Sequence, residues 1–500
     1  MFRLCAVAAM VPAGAALAGC AQLAGIDTTS HAGDSVSVTR MSVGTTVTTA
    51  PQDLTGLTAT YLVASSAATG FDRVAASTSA RGRWTSNLRT PAPIVFTLPD
   101  VPTPTPRLFA FPSPELSVLY GVLEHPNPSP APDAATFTVT TPLDTLPAMG
   151  ETFQSYVVGA WLARNFDAGE LVATGMALTP PAFSFAPVNS VAGRPHLDLI
   201  TSQDAFFVLR YFATALTGVA AAMPFDQTGA ATTVTTEAMT AVTGDQMLDV
   251  KVAPAATLMA RYAKAQPAVA TLQMNWSLVA APGYRIASNA GPVLQSGAIG
   301  AMDTGVMVKY GNPFAARGWN AIFTLATSES RNFQLPGTML PVTGIDLFAG
   351  MNQFFEPAAG FDASLPAGLP IVISLDEVPL VTDGQVVMQP GKFVNVSFVV
   401  NPAPGATGPV ATLYSLAVFD IVVPAMATAP VRILTFSAAS NQAKFALPPE
   451  LFLPGHFYTL RVVATLGGFP GIDDGDFTVR DLPLAQGYLD SAVFAVIGTP

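Results

Sequence analysis

Few residues in this chain are of a type that does chemistry, and their spacing limits what that chemistry could be. Four histidines, His31, His125, His196 and His456, stand far apart, with no second His or Cys at metal-ligand spacing, so a zinc centre is not expected. Gly-x-Ser-x-Gly, His-Glu-x-x-His and a phosphate-cradling Gly-Lys-Ser/Thr loop are missing, which removes the common hydrolase and nucleotide-binding signatures. Asp303-Thr304-Gly305 would suit acid/base work only if a second such carboxylate shared its proton. The sequence has no second Asp-Thr/Ser-Gly, so this tripeptide reads as a turn. Asp376-Glu377 likewise reads as a solvated turn rather than an acid/base pair. The densest acidic cluster is Asp473-Asp474-Gly475-Asp476. Carboxylates two residues apart on a tight turn can converge on a hard cation such as calcium. The full calcium-loop spacing is absent and Asp-Gly is itself a hairpin signal, so Asp473, Asp474 and Asp476 are expected on a turn, with calcium as the alternative. No catalytic residue, metal or cofactor is assigned.

The elements that would position these groups are short strands. Half of the 500 residues are hydrophobic and 11% are charged, against about 25% in an ordinary soluble domain. Disorder needs the opposite balance, and a coiled coil needs charged flanking positions, so both are excluded. A net charge of −11, with 22 basic residues scattered among 33 acidic ones, gives no footprint for nucleic acid. Beyond residue 34, β-branched and aromatic runs recur at Ser35 to Val43, Thr58 to Val63, Ile94 to Leu98, Ser117 to Leu123 and Thr136 to Thr141. They continue at Leu272 to Val279 and Trp319 to Leu325, bounded by Pro, Gly, Asn or Asp. Ala205 to Met223 is apolar enough to suggest a membrane span. Its central Arg210 would cost about 2.5 to 3.5 kcal/mol there, and its alternation reads as sheet. Only Ala255 to Gln266, between Pro254 and Pro267, has a helical pattern. The expected class is all-β, with tandem immunoglobulin/fibronectin-like sandwiches. The domain division is a β-sandwich-like domain at 35–148, a central β-rich region of one or two domains at 149–368, and a last domain at 369–500.

The N-terminus has a positive Met1-Phe2-Arg3, an apolar run from Leu4 to Leu17, and Leu17-Ala18-Gly19-Cys20. This resembles a bacterial lipoprotein signal with its lipobox. The resemblance implies cleavage between Gly19 and Cys20, a signal peptide at 1–19, and a diacylglycerol thioether with acyl chains such as palmitate on Cys20. Residues 20–34 would form a lipidated tether. Cys5 would leave with the signal, so the mature chain would have no disulfide and its domains would rest on hydrophobic cores. With no polybasic patch, attachment to the membrane would rest on the lipid. Ala21 stands where an Asp would signal inner-membrane retention in several Gram-negative lipoproteins, which implies the outer membrane. The excess of Arg over Lys, with abundant Ala, Gly and Pro, resembles β-rich envelope lipoproteins of GC-rich Gram-negative bacteria.

In the C-terminal third, Phe445-Ala446-Leu447 leads through Phe452-Leu453-Pro454-Gly455 into Tyr458, Leu460, Val462 and Ala464, which alternate on one strand face. This resembles the E-to-F corner of a fibronectin type III-like sandwich. Tyr458 would be the structural corner tyrosine, its hydroxyl bonded back to the corner backbone. Phe393 to Phe398 resembles strand B and Tyr414 to Phe419 strand C, with Phe398 where that family places a core Trp. Together these features imply a lipid-anchored cell-envelope protein in a non-catalytic binding, adhesion or scaffold role. Its partners would be the membrane, through the lipid, and an envelope protein or glycan. The alternative is an envelope hydrolase or carbohydrate-active enzyme with an unrecognised carboxylate site. Paired carboxylates about 5 to 9.5 Å apart in a cleft would favour it.

Overall fold

A computed structural model describes residues 35–497 apart from 65–70, 80–81, 89–91, 99–104, 112–114, 123, 167–172, 175, 188–196, 254, 266–272, 284–290, 301, 334, 336–344, 358–360, 364–367, 381–383, 388–392, 403–410 and 424–429. The expected signal at 1–19 and tether at 20–34, with Gly19 and Cys20, lie outside the described residues. The protein is all-β. Ala255–Ala265 is the α-helix among the described residues. Alternating side chains fix the strand faces: Thr136–Pro142 buries Phe137, Val139 and Thr141, and Gln246–Val252 buries Leu248, Val250 and Val252. The apolar stretch that could have spanned a membrane is two paired strands, Ala205–Phe212 and Ala215–Ala221. Arg210 is buried there, with Nη1 2.9 Å from Asp144 Oδ1.

Among the described residues strand pairing gives five sheets, one of 20 strands, and four successive units, at 35–122, 136–241, 246–363 and 369–497, each contribute strands to that large sheet and to one smaller sheet of their own. In the first three, the opening strand lies parallel to a strand at or near the unit's end. Ser35–Val43 pairs with Glu115–Val122, Thr136–Pro142 with Ala231–Thr235, and Gln246–Val252 with Phe361–Ala363. In the fourth, Gly384–Val387 lies parallel to the closing Phe494–Ile497. A hairpin cannot make a parallel pair, so each of these pairings joins strands distant in sequence. The sequence limit at 148 falls inside the second unit, because Thr136–Pro142 ladders with strands that follow it. The proline-rich stretch around Pro126 to Pro132, not the later turn at 143–150, is the connection.

The fourth unit has one sheet of Leu369–Leu375, Val394–Asn401 and Lys444–Leu447. The other contains Val431–Ser440, Leu413–Val422, Phe457–Gly467 and Leu484–Asp490. This is the two-sheet order of a fibronectin-like sandwich. Phe398 fills the space between the sheets, its ring 5.2 Å from that of Tyr414 and 6.1 Å from that of Phe445.

The units are fused along their edges. Arg107–Ala110 of the first unit extends the sheet of the fourth through Ser437 to Ser440, and Ile345–Phe355 of the third pairs with Leu484–Asp490. Under the second junction Asp490 is fully buried and binds Arg461 (Nε to Oδ1 2.6 Å) and Arg432 (Nη1 to Oδ2 2.7 Å). Burial alone would raise the Asp490 pKa, but its hydrogen bonds to Arg461 and Arg432 outweigh that and hold it below the usual range. Trp161 donates its indole N–H to Val43 O, and Trp319 donates to Thr45 O at 3.0 Å, tying the second and third units to the first. One continuous buried cluster includes Met41 and Leu62, Trp161 and Phe207, Trp276 and Phe323, and Leu416 and Tyr458.

Candidate functional site

The fusion of the first and fourth units leaves a cleft of about 740 Å³ between them. One wall is the turn Asp376–Glu377. The pairs Ser374–Pro379 and Leu375–Val378 leave a two-residue hairpin loop, and both central residues have positive φ, 44° and 69°. That is the type I′ geometry usually filled by Asn-Gly. Side-chain-bearing residues held in the left-handed region store about 1 to 3 kcal/mol each. The surroundings enforce it: Asp376 N–H donates to Asn395 O at 2.8 Å, and Asp376 Oδ1 accepts from Asn395 N–H at 2.8 Å and from its side-chain amide at 3.3 Å. Asn395 is thereby held in a fixed pose on the cleft floor.

The floor is the outer face of Val394–Asn401 and Lys444–Leu447, where Asn395 stands opposite Ala446 and Ser397 opposite Lys444. The second wall is the turn after Ser440, whose hydroxyl accepts the Gln442 N–H at 3.0 Å and sets Asn441 and Gln442 at the rim. The first unit supplies Pro93, Ala110 and Phe111. Phe111 is held by Phe477, ring centroids 4.6 Å apart. The lining therefore combines amides and hydroxyls with one apolar wall, and its charged groups are Asp376, Glu377 and Lys444.

The other sequence candidates are placed as follows. His31 and His196 lie outside the described residues. His125 and His456 are apart from each other: His125 Nδ1 is 3.0 Å from Asp204 Oδ1, and His456 Nδ1 is 2.9 Å from Asp420 Oδ2. Asp303 Oδ2 accepts the Gly300 N–H at 2.7 Å, closing a turn. In the acidic cluster, Ile472–Asp474 is a single 3-10 turn ended by Gly475 at φ 77°, and Asp476 Oδ1 accepts from Thr478 N–H at 2.8 Å and Oγ1 at 2.6 Å. The loop packs on the first unit: Ser117 N–H donates to Gly475 O at 2.9 Å and Phe477 N–H to Ser117 O at 2.8 Å, with Ile472 and Phe477 in the core of the first unit. Among the described residues no three His, Cys, Asp or Glu gather as a metal-binding group. Tyr458 is 1% exposed, and its hydroxyl accepts the Leu453 N–H at 2.9 Å across the turn that precedes its strand. Burial raises its pKa.

The cleft residues Asn395, Asn441 and Gln442 were not singled out in the sequence. The only local signal was Asp376-Glu377, which does form a turn, and nothing near it in the chain announces the wall from the first unit.

No family model matches the chain, and no curated protein matches it. Among solved structures, the crystal structure of a tetra-tandem repeat in the extending region of a large adhesion protein is similar at 10% identity. That match covers 91% of this chain and 99% of the other, with a TM-score of 0.12, too slight to bear on fold or function.

Proposed function

We propose that this is a lipid-anchored protein of the cell envelope, held in the outer membrane through Cys20, that binds an envelope protein or glycan without transforming it. The observation that carries the binding reading is the cleft itself, a concave site at a junction of units with convergent polar groups over an apolar wall. The second reading, an envelope hydrolase or carbohydrate-active enzyme, draws on the carboxylates of Asp376 and Glu377 in that cleft. Against it, Asp376 Oδ1 is engaged by Asn395. Hydrolysis of an oligosaccharide by the purified protein would favour the enzyme.

One experiment tests both halves of the proposal. In fractionated cells the protein sediments with membranes, and Cys20→Ser moves it to the soluble fraction, because stable anchoring needs more than a single weak attachment. The released Cys20→Ser protein is still retained on isolated envelope fragments, and Ser397→Trp, which fills the cleft from an exposed floor position, removes that retention. An unmodified Cys20 in the mature protein refutes the anchor. Retention unchanged by Ser397→Trp refutes the cleft.

A further inference from the structure

We propose that the cleft binds a neutral glycan, an inference that rests on the cleft being the binding site. The charged groups in its lining are two carboxylates, Asp376 and Glu377, and one ammonium, Lys444, a small negative excess that favours a neutral ligand over a phosphate, sulfate or carboxylate. The hydrogen-bonding groups are of the kind that pairs with hydroxyls. Amides offer a donor and an acceptor side by side, and hydroxyls offer both on one atom. Asn395 and Ser397 on the floor and Asn441 and Gln442 on the second wall supply these from two sides, while Ser440 is buried and accepts the Gln442 N–H. Asn395 is pre-oriented by Asp376, so little side-chain freedom is lost when its remaining amide valences meet a sugar. Pro93, with the edge of the buried Phe111 behind it, gives the cleft an apolar wall against which the C–H face of a pyranose ring can rest.

Of the two floor strands, Val394–Asn401 is laddered on both sides, to Leu369–Leu375 and to Lys444–Leu447, and so offers a ligand only its side-chain face, while Lys444–Leu447 is the last strand of its sheet. What Val394–Asn401 presents is a face of alternating side chains, Asn395 and Ser397, which reads hydroxyls rather than a backbone. The positive φ of Asp376 and Glu377 fits the same account: strain kept at a turn that positions a ligand group is a feature of binding sites, and a glycine there would relieve it.

The test is titration calorimetry of the full chain in detergent against maltohexaose, cellohexaose, xylohexaose, mannohexaose and chitohexaose, with a sulfated form of whichever binds. The expected result is saturable binding of at least one neutral oligosaccharide. Asn395→Ala and Gln442→Ala should each weaken it about tenfold, the size of one lost hydrogen bond, and the sulfated form should bind at least about tenfold more weakly. Both variants should melt with the parent, which separates lost contacts from lost folding. Three results overturn the proposal: none of the neutral set binding at about 10 mM, a limit corresponding to roughly −3 kcal/mol; binding that neither substitution changes; or preference for the sulfated form. If no glycan binds while envelope retention still depends on Ser397→Trp, the cleft takes a protein and only the glycan is refuted. If retention ignores Ser397→Trp, the binding reading falls with it.

Discussion

Tyr458 closes the corner of the fourth unit with a single hydroxyl. It accepts the Leu453 N–H, while the ring lies 5.3 Å from Phe452 and 6.0 Å from Phe494. Tyr458→Phe keeps the ring contacts and strands the amide, so equilibrium denaturation should show a loss of about 1 to 3 kcal/mol. A change indistinguishable from zero would mean that the bond contributes nothing and the corner is held by packing alone. This residue was legible because its evidence is local: an apolar residue, a Pro-Gly turn, then alternation along one strand. The cleft was not legible, because Asn395 acquires its setting from a backbone geometry at Asp376 that no residue preference announces, and from Phe111, remote in sequence. A type I′ turn without Asn or Gly cannot be read from composition.

At the scale of elements, extents were legible and partners were not. The run Ser35 to Val43 is a strand over those residues, and the expected helix at Ala255 to Gln266 is Ala255–Ala265. Periodicity fixes where a strand lies and which face it buries, but Thr136–Pro142 carries no mark telling it to pair with Ala231–Thr235. Connections between units show the same limit. His125 follows the closing strand of the first unit, and its ring is buried against Asp204, which is held by the N–H of Thr201 at 2.7 Å. The hydrogen bond to Asp204 raises the His125 pKa against the opposing effect of burial, with further pull from the charges of Asp204 and Asp198. Folding therefore favours the protonated ring. That contribution is complete below the unfolded value of about 6.5 and is lost as pH rises through the higher folded value. The melting temperature should accordingly fall more steeply in the parent than in His125→Gln, which cannot titrate, as pH rises above about 6.5. Parallel pH profiles would show that the pair does not couple protonation to folding.

At the scale of the molecule, tandem sandwiches suggest beads that unfold one by one, and the packing argues otherwise. Phe207 of the second unit lies edge-on to Phe314 and Trp319 of the third, at 5.1 and 6.2 Å, while the Trp319 indole N–H is bonded to Thr45 of the first. A separated fourth unit would lose the strand Ile345–Phe355 from one edge and Arg107–Ala110 from the other, exposing ladder groups and the Asp490 cluster to water. Local opening of any unit thus removes contacts that its neighbours need, and this coupling turns several transitions into one. Calorimetry of the full chain should show a single cooperative endotherm. Phe207→Ala, which empties a fully buried site at the junction, should cost about 3 to 5 kcal/mol and move that whole endotherm downward rather than split it. Two endotherms of which Phe207→Ala shifts only one would show that the second unit folds on its own account. The shared cluster would then be contact between independent domains, and the cleft between the first and fourth units would lose the rigid frame that its binding depends on.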